Sequence, residues 1–535
     1  MEQIEPIHRP VRKSIRVLFI IPPYIDHSNQ KVRSYKAFPY GVLSLMSFLE
    51  KELEYVSTDL IDCNNKEYAE KLIERINTLE PDVIAISLMF DNSYKHMEDI
   101  LKIISGISDA VVIVGGQATT TTYREILLDN PTIDGICFSE GEIPMLKLLR
   151  SDDLIKHMND GGAWATRHNL PIGHIPKSEL IDNLDKVIDI NYNKTEISEY
   201  EMKEVFTPFA RSIQDKKQFY MVTSRGCPFK CAFCMNSVND DKHVRYASVD
   251  KLIDHVEYLV NEFGMNVLTF YDDQILFNKQ RAKELFKRLK TFNLRIECPN
   301  GLSVAYMDSE IIQLMAEAGV DTVHLAIESG SPYVLQELIH KPLKLNQVYP
   351  VVSELRRYNI WVQGYFVVGM PGENDNHRRE TVEFIKTVGL DWAIIQTASP
   401  VRGSKLYNVC MEKGYIPSGI KMGEYDMTKY IIDTPDYTSE YVAEQAYLMN
   451  LEVNFIHNHR IKVKDYLVAG KRFADMVTRF PQHALSHYCL YRIQSDPDNP
   501  YRDVSLAHAC LENTKRIVSS DQTWKQYFDH FNISM

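Results

Sequence analysis

Three cysteines, Cys227, Cys231 and Cys234, stand inside the stretch SRGCPFKCAFC. A structural zinc site wants four ligands, usually as two close pairs, and a redox dithiol wants two. A zinc knuckle that borrows a distant histidine is the plain alternative. Three thiolates without a fourth can hold three irons of a cubane cluster and leave one iron open. An open iron can bind a small molecule, whereas a fully ligated cluster only passes electrons. The other six cysteines, Cys63, Cys137, Cys298, Cys410, Cys489 and Cys510, read as small buried hydrophobes. Cys298 ends a predicted strand and would point near a pocket there. An odd total of nine cysteines argues against a disulfide framework and for a reducing cytoplasm.

The cysteine loop needs elements to hold it. The strand FYMVTS runs straight into it. Strands NVLTFYDD (266–273), LRIECPNG (294–301), TVHLAIESG (322–330), WVQGYFVVGMPGE (361–373) and WAIIQTASP (392–400) follow, separated by helical segments at 248–264, 278–291, 308–318 and 375–388. Eight such βα steps would close a full barrel. Six predict a partial, open barrel over 216–404, with the loop at the face where barrel active sites gather. Asp272 and Asp273 stand at one strand end, where they face the site or merely cap the next helix. Glu328 stands at another, and an unpaired buried carboxylate there would be costly.

The first 150 residues alternate likewise. IRVLFIIPP (15–23) is a continuous apolar run, as in a strand buried on both faces. YVSTDLID, DVIAISLMF, AVVIVGG and IDGICFSEGE follow, with helices between, so a doubly wound parallel sheet is predicted over 1–150. Ligands of such sheets sit at the carboxyl ends of strands. Those ends carry Pro22-Pro23, Ser87, Gly115-Gly116 and Gly141-Glu142, and glycines there would let a bulky ligand approach. Residues 151–215 read as a linker, and 405–535 as a mostly helical tail that caps the barrel.

Bulk properties exclude some classes. Formal charge is −12 and no basic block appears, which disfavours nucleic acid as partner. No run approaches a membrane span, and the N-terminus lacks the apolar stretch of a secretory signal.

CPFKCAFC resembles the signature of radical S-adenosylmethionine (SAM) enzymes. YDDQ, IESGSP, GYFVVGMPGE and SPVRGSKLY resemble later motifs of the same family, in the same order. The resemblance implies a 4Fe–4S cluster on Cys227, Cys231 and Cys234, its open iron chelating SAM. It further implies SAM contacts at Phe233, Asp272, Asp273, Glu328, Ser329, Gly364 and Gly369. One electron would cleave SAM to a 5′-deoxyadenosyl radical, supplied by an external donor of flavodoxin or ferredoxin type. PYGVLSLMSFLE, GGQATTTT and SEGE resemble the cobalamin-binding domain of one subclass, which places cobalamin near Ser87, Gly115, Gly116, Gly141 and Glu142. The first loop, PPYIDHSNQ, departs from the Asp-x-His-x-x-Gly pattern of cobalt-ligating domains, so His27, directly after Asp26, is expected not to ligate cobalt. The implied activity is transfer of a methyl group, carried as methylcobalamin, to an unactivated carbon or a phosphinate phosphorus of a small natural-product intermediate. Cyclisation, rearrangement or oxidation with the same cofactors is the alternative. A cluster-bearing sensor without turnover is a third reading.

Overall fold

The computed structural model describes residues 14–24, 36–65, 67–200, 208–209, 215–237, 243–424 and 429–534. Asp26 and His27 lie outside them. The chain divides into two compact units, Met1–Met202 with Gly419–Asp426, and Lys203–Ser418 with Met427–Met535.

The first unit alternates β1 (Ile15–Ile21), α1 (Tyr40–Glu52), β2 (Val56–Asp62), α2 (Tyr68–Leu79), β3 (Val83–Ser87), α3 (Tyr94–Ile107), β4 (Val111–Gly115), α4 (Thr119–Asp129), β5 (Gly135–Cys137) and α5 (Glu142–Arg150). After α6 (Leu154–Asn159), β6 (Trp164–Ala165) pairs antiparallel with β5. The strand order is β2-β1-β3-β4-β5-β6. Leu18, Ile20, Ile84, Ile86, Val112 and Val114 of the central strands share one core with Leu72, Met97, Ile100, Ile104 and Ile126 of the helices. The order reverses between β1 and β3, and that switch point is where a doubly wound sheet opens a ligand crevice.

Two features depart from the sequence reading. Residues 151–165 are not a bare linker, since they supply a helix and the sixth strand. A strand of two residues is too short for alternation to reveal. The segment Gly419–Asp426 also returns to this unit, where Met422 joins the core and its N–H meets Glu125 Oε1 at 3.3 Å.

The second unit begins with β7 (Gln218–Met221), β8 (Ser224–Arg225) and β9 (Arg245–Tyr246). It continues with α7 (Val249–Phe263), β10 (Val267–Phe270), α8 (Lys279–Leu289), β11 (Arg295–Glu297), α9 (Ser309–Ala318), β12 (Thr322–Glu328), α10 (Val348–Arg357), β13 (Trp361–Val368), α11 (Asp375–Val388), β14 (Trp392–Thr397) and α12 (Lys405–Glu412). Two parallel three-stranded sheets, β11-β10-β7 and β12-β13-β14, are joined by the parallel bridges Ile296↔Val320 and Leu302↔Leu325. Six parallel strands in sequence order make the partial barrel. Local signals set the helices: Ser248, Asn278, Asp308 and Asn374 each accept a hydrogen bond from a first-turn N–H, as N-caps do.

The tail is helical: α13 (Ser439–Leu451), α14 (His459–Lys462), α15 (Tyr466–Arg479), α16 (Ala484–Ser495), α17 (Val504–Ser520) and α18 (Gln522–His530). It has its own core, containing Phe455, Phe473, Leu485 and Phe528, against which Trp392 of β14 packs. Asn454 continues the edge of β14: its amide accepts from Ala393 N–H and donates to Ala393 C=O, both at 2.8 Å. No helix among the described residues is long and apolar enough to cross a membrane.

Candidate active site at the carboxyl ends of the barrel strands

The cysteine loop leaves the barrel after β7 and is pinned at its base. Asp272, after β10, accepts hydrogen bonds from Thr223 N–H (3.0 and 3.1 Å), Thr223 Oγ1 (2.7 Å) and Ser224 Oγ (2.5 Å). Arg281 of α8 donates from Nη2 to Thr223 C=O and from Nε to Ala247 C=O. Gly226 takes a φ of +97°, which turns the chain just before Cys227. At its far end the loop is gripped again. Ala232 N–H donates to Ile339 C=O at 2.9 Å, and Leu406 N–H donates to Ala232 C=O at 2.8 Å. Phe229 stacks on Tyr306 with ring centroids 6.1 Å apart.

All three cysteines of the loop are free thiols, as are the other six, which are buried. Among the described residues no three His, Cys, Asp or Glu side chains converge as a single metal ion would require. A cubane asks less, because each thiolate meets a different iron. Burial pushes the Cys227 thiol up to about 11 and the Cys231 thiol up to about 12, with Lys341 pulling both back. Cys234 is raised too, first by burial. Cys234 also raises Cys227, and both of them raise Cys231, so the loop gathers the three. Such thiols keep their protons until a metal displaces them. The loop therefore fits a cluster held by three thiolates.

Around the loop lie charges that burial would make costly if unpaired. Glu328 sits at φ +72°, where the register of β12 on β13 shifts, and Lys341 Nζ meets its Oε1 at 2.9 Å. Burial works against the Lys341 ammonium, but Glu328 and the thiol of Cys231 outweigh it and hold its pKa above the ordinary value. Burial raises Asp273, against a hydrogen bond from Asn236. Glu373 is almost wholly buried. Burial pushes it up to about 7, against the Gly369 N–H that it accepts and against Arg378.

Several sequence-predicted positions are thus given other partners. Asp272 has its oxygens filled by Thr223 and Ser224, so it braces the loop. Neither Asp272 nor Asp273 caps α8, because Asn278 does. Ser329 Oγ lies 3.1 Å from Thr381 Oγ1 and accepts from Ser331 N–H at 3.1 Å, which ties β12 to α11. A Cβ on Gly364 would come within 2.6 Å of Leu390 and 3.2 Å of Ile327, so this glycine serves packing. Phe233 and Cys234 pack against the apolar cluster of Cys231, Ile339 and Leu406. Lys341 and Arg281 had no local sequence signal, since each acts on residues well away along the chain.

In the first unit, Ser87 pairs in register with Gly115. A Cβ on Gly116, at φ +109°, would lie 2.5 Å from Leu88 O; one on Gly115 would meet Cys137 and one on Gly141 would meet Leu45. All three glycines face protein rather than open space. Glu142 is buried as the first residue of α5. The exposed apolar side chains at this edge are Met89 and Phe90, just past β3.

Residues 221–385 match the Radical SAM superfamily, and residues 31–149 match the B12 binding domain. The chain thus carries a radical SAM domain and a B12-binding domain. It is 28% identical over 414 residues to cytidylyl-2-hydroxyethylphosphonate methyltransferase of Streptomyces wedmorensis, covering 72% of this chain and 77% of that protein. It is 26% identical over 439 residues to anaerobic magnesium-protoporphyrin IX monomethyl ester cyclase of Rubrivivax gelatinosus, covering 79% and 73%. The fold is that of the radical SAM methyltransferase TsrM from Kitasatospora setae, solved with cobalamin and a 4Fe–4S cluster bound. That match has a TM-score of 0.63 at 14% identity and covers 95% of this chain and 100% of the other.

Proposed function

We propose that this protein is a cobalamin-dependent radical SAM methyltransferase that modifies an unactivated carbon, or a phosphinate phosphorus, of a small-molecule intermediate. The observation that carries the reading is the cysteine loop: three free thiols, braced at both ends, at the carboxyl ends of six parallel barrel strands. Cys227, Cys231 and Cys234 would hold the cluster. Bound there, the cluster and SAM supply a radical that abstracts hydrogen, and cobalamin supplies the methyl group.

The chain's own residues do the rest. Asp272 and Arg281 fix the base of the loop, so that its thiols stay in place without reorganisation. The Glu328–Lys341 pair presents a buried, neutralised charge couple beside Cys231. Phe229, Phe233 and Tyr306 pack over the loop and exclude water, as a radical site demands. The electron comes from an external one-electron donor of flavodoxin or ferredoxin type, and neither nucleic acid nor membrane takes part.

The cyclase relative favours a second reading, cyclisation with the same cofactors. Anaerobically reconstituted protein, given SAM and reductant with candidate phosphonate or aromatic substrates, separates them. A methyltransferase releases S-adenosylhomocysteine and 5′-deoxyadenosine in equal amounts. The cyclase reading gives 5′-deoxyadenosine alone. Absence of 5′-deoxyadenosine with a full complement of iron would overturn both.

A further inference from the structure

Gly369 follows the last residue of β13 at φ +85°, and every polar group of its main chain is held by a side chain. Its N–H donates to Glu373. Its C=O accepts from Tyr430 Oη at 2.6 Å and from Tyr437 Oη at 3.0 Å. The phenol oxygens are 3.4 Å apart. The space where a side chain would stand on Gly369 is filled by Tyr430 Oη and Val442 Cγ1, both at 2.7 Å. Tyr437 and Tyr441 each lie 5.7 Å from the Arg378 guanidinium, whose Nη1 is 3.5 Å from Glu373 Oε2. Tyr441 Oη also donates to Asp375 at 2.8 Å. Two tyrosines of the segment between α12 and α13, Tyr430 and Tyr437, therefore converge on one carbonyl of the loop 369–373, and Tyr441 of α13 holds Asp375 and Arg378 just beyond it.

We propose that Tyr430 and Tyr437 are positioning residues that fix the Gly369 loop for SAM, so that the segment before the helical tail sets the affinity for the cofactor. The proposal rests on the reading of GYFVVGMPGE as SAM-facing. A carbonyl held by two phenols cannot rotate, and a loop held from both its N–H and its C=O presents one surface to a ligand. Preorganisation of this kind lowers the cost of binding without touching the ligand.

The test is equilibrium binding of SAM to cluster-loaded protein, by filtration with labelled SAM. The variants are Tyr430→Phe, Tyr437→Phe and their double, with Tyr349→Phe as control, whose hydroxyl meets Thr387 instead. Two lost hydrogen bonds predict an SAM Kd raised about fivefold to tenfold in the double variant. Iron content and the control are expected to stay at wild-type values, and the KM for SAM is expected to rise without a fall in kcat. Faster hydrogen exchange of 366–373 in cluster-free double variant is the second expected readout. An unchanged Kd in the double variant, with tight binding by wild type, overturns the positioning role. Wild-type protein that carries iron and binds no SAM overturns the parent reading instead.

Discussion

β4 and β13 both run into a glycine of positive φ at the carboxyl edge of a parallel sheet, yet the two glycines are held by different means. Gly116 is held by its sequence neighbours: Leu88 N–H donates to Gly115 C=O at 2.8 Å, Ala118 N–H donates to Leu88 C=O, and the Gly116 C=O accepts from Thr119, three positions on, through its N–H and its Oγ1 (2.7 Å). Gly369 is held by side chains, two of them from some sixty positions further on. The first arrangement is completed by adjacent βα turns and tolerates change elsewhere. The second depends on a distant segment, and so does the surface it presents. The first unit builds its ligand edge locally, whereas the barrel borrows.

The widest separation between the two edges comes from the cysteines. Cys231→Ala should remove the cluster and all SAM cleavage, while extracted cobalamin stays at the wild-type amount. Iron near the wild-type content in that variant would contradict the ligand set. Next comes Lys341→Met, which strands Glu328 as an unpaired buried charge and should cost about 3–5 kcal/mol in chemical denaturation. Adding Glu328→Gln should return most of that, and a double variant as weak as the single would show that the pair does not act as one. Gly116→Ala follows, at about 3 kcal/mol, because main chain cannot step aside as a side-chain tip can. Cobalamin retention should fall with the first unit's stability, and iron content should not. Loss of iron in this variant would show that the barrel depends on the first unit's edge.

The smallest expected effect is a pH dependence at Glu373. The groups facing it are Arg378, Asp375, Tyr430 and Tyr437. Its folded pKa of about 7 lies above the ordinary glutamate value of 4.5, so the native state binds this proton more tightly than the unfolded chain. Its contribution therefore favours folding most at low pH and is lost as pH rises from about 4.5 to about 7. Relative to Glu373→Gln, wild type should lose about 2 kcal/mol between pH 5 and pH 7.5. A difference between the two proteins that stays constant across that window would refute the buried, near-neutral carboxyl.

The sequence disclosed what depends on local pattern. CPFKCAFC, the apolar runs of β1 and β3, and the six barrel steps were legible because their spacing is itself the signal. Roles that arise only when distant elements meet were not. Asp272 was visible as a strand-end carboxylate, but its partners, Thr223 and Ser224, lie some fifty positions earlier, past the end of β7. Gly364 looked like a cofactor glycine, yet Leu390 and Ile327 decide its size. Lys341 follows Glu328 by an irregular connection that no helical or strand period predicts. β6 was too short to show a period at all.

The return of Gly419–Asp426 to the first unit has a consequence for synthesis. Met422 fills part of a core whose other members are complete by Ala165, so the first unit emerges from the ribosome with a vacancy. At about 5–20 residues per second, roughly 10–50 s pass before the missing side chain arrives. For that interval the nascent first unit exposes apolar surface around Tyr94, which the returning segment meets at Gly423 in the finished protein. A fragment ended at Met202 would stay in that state permanently, a liability for anyone who expresses the first unit alone to study its cofactor.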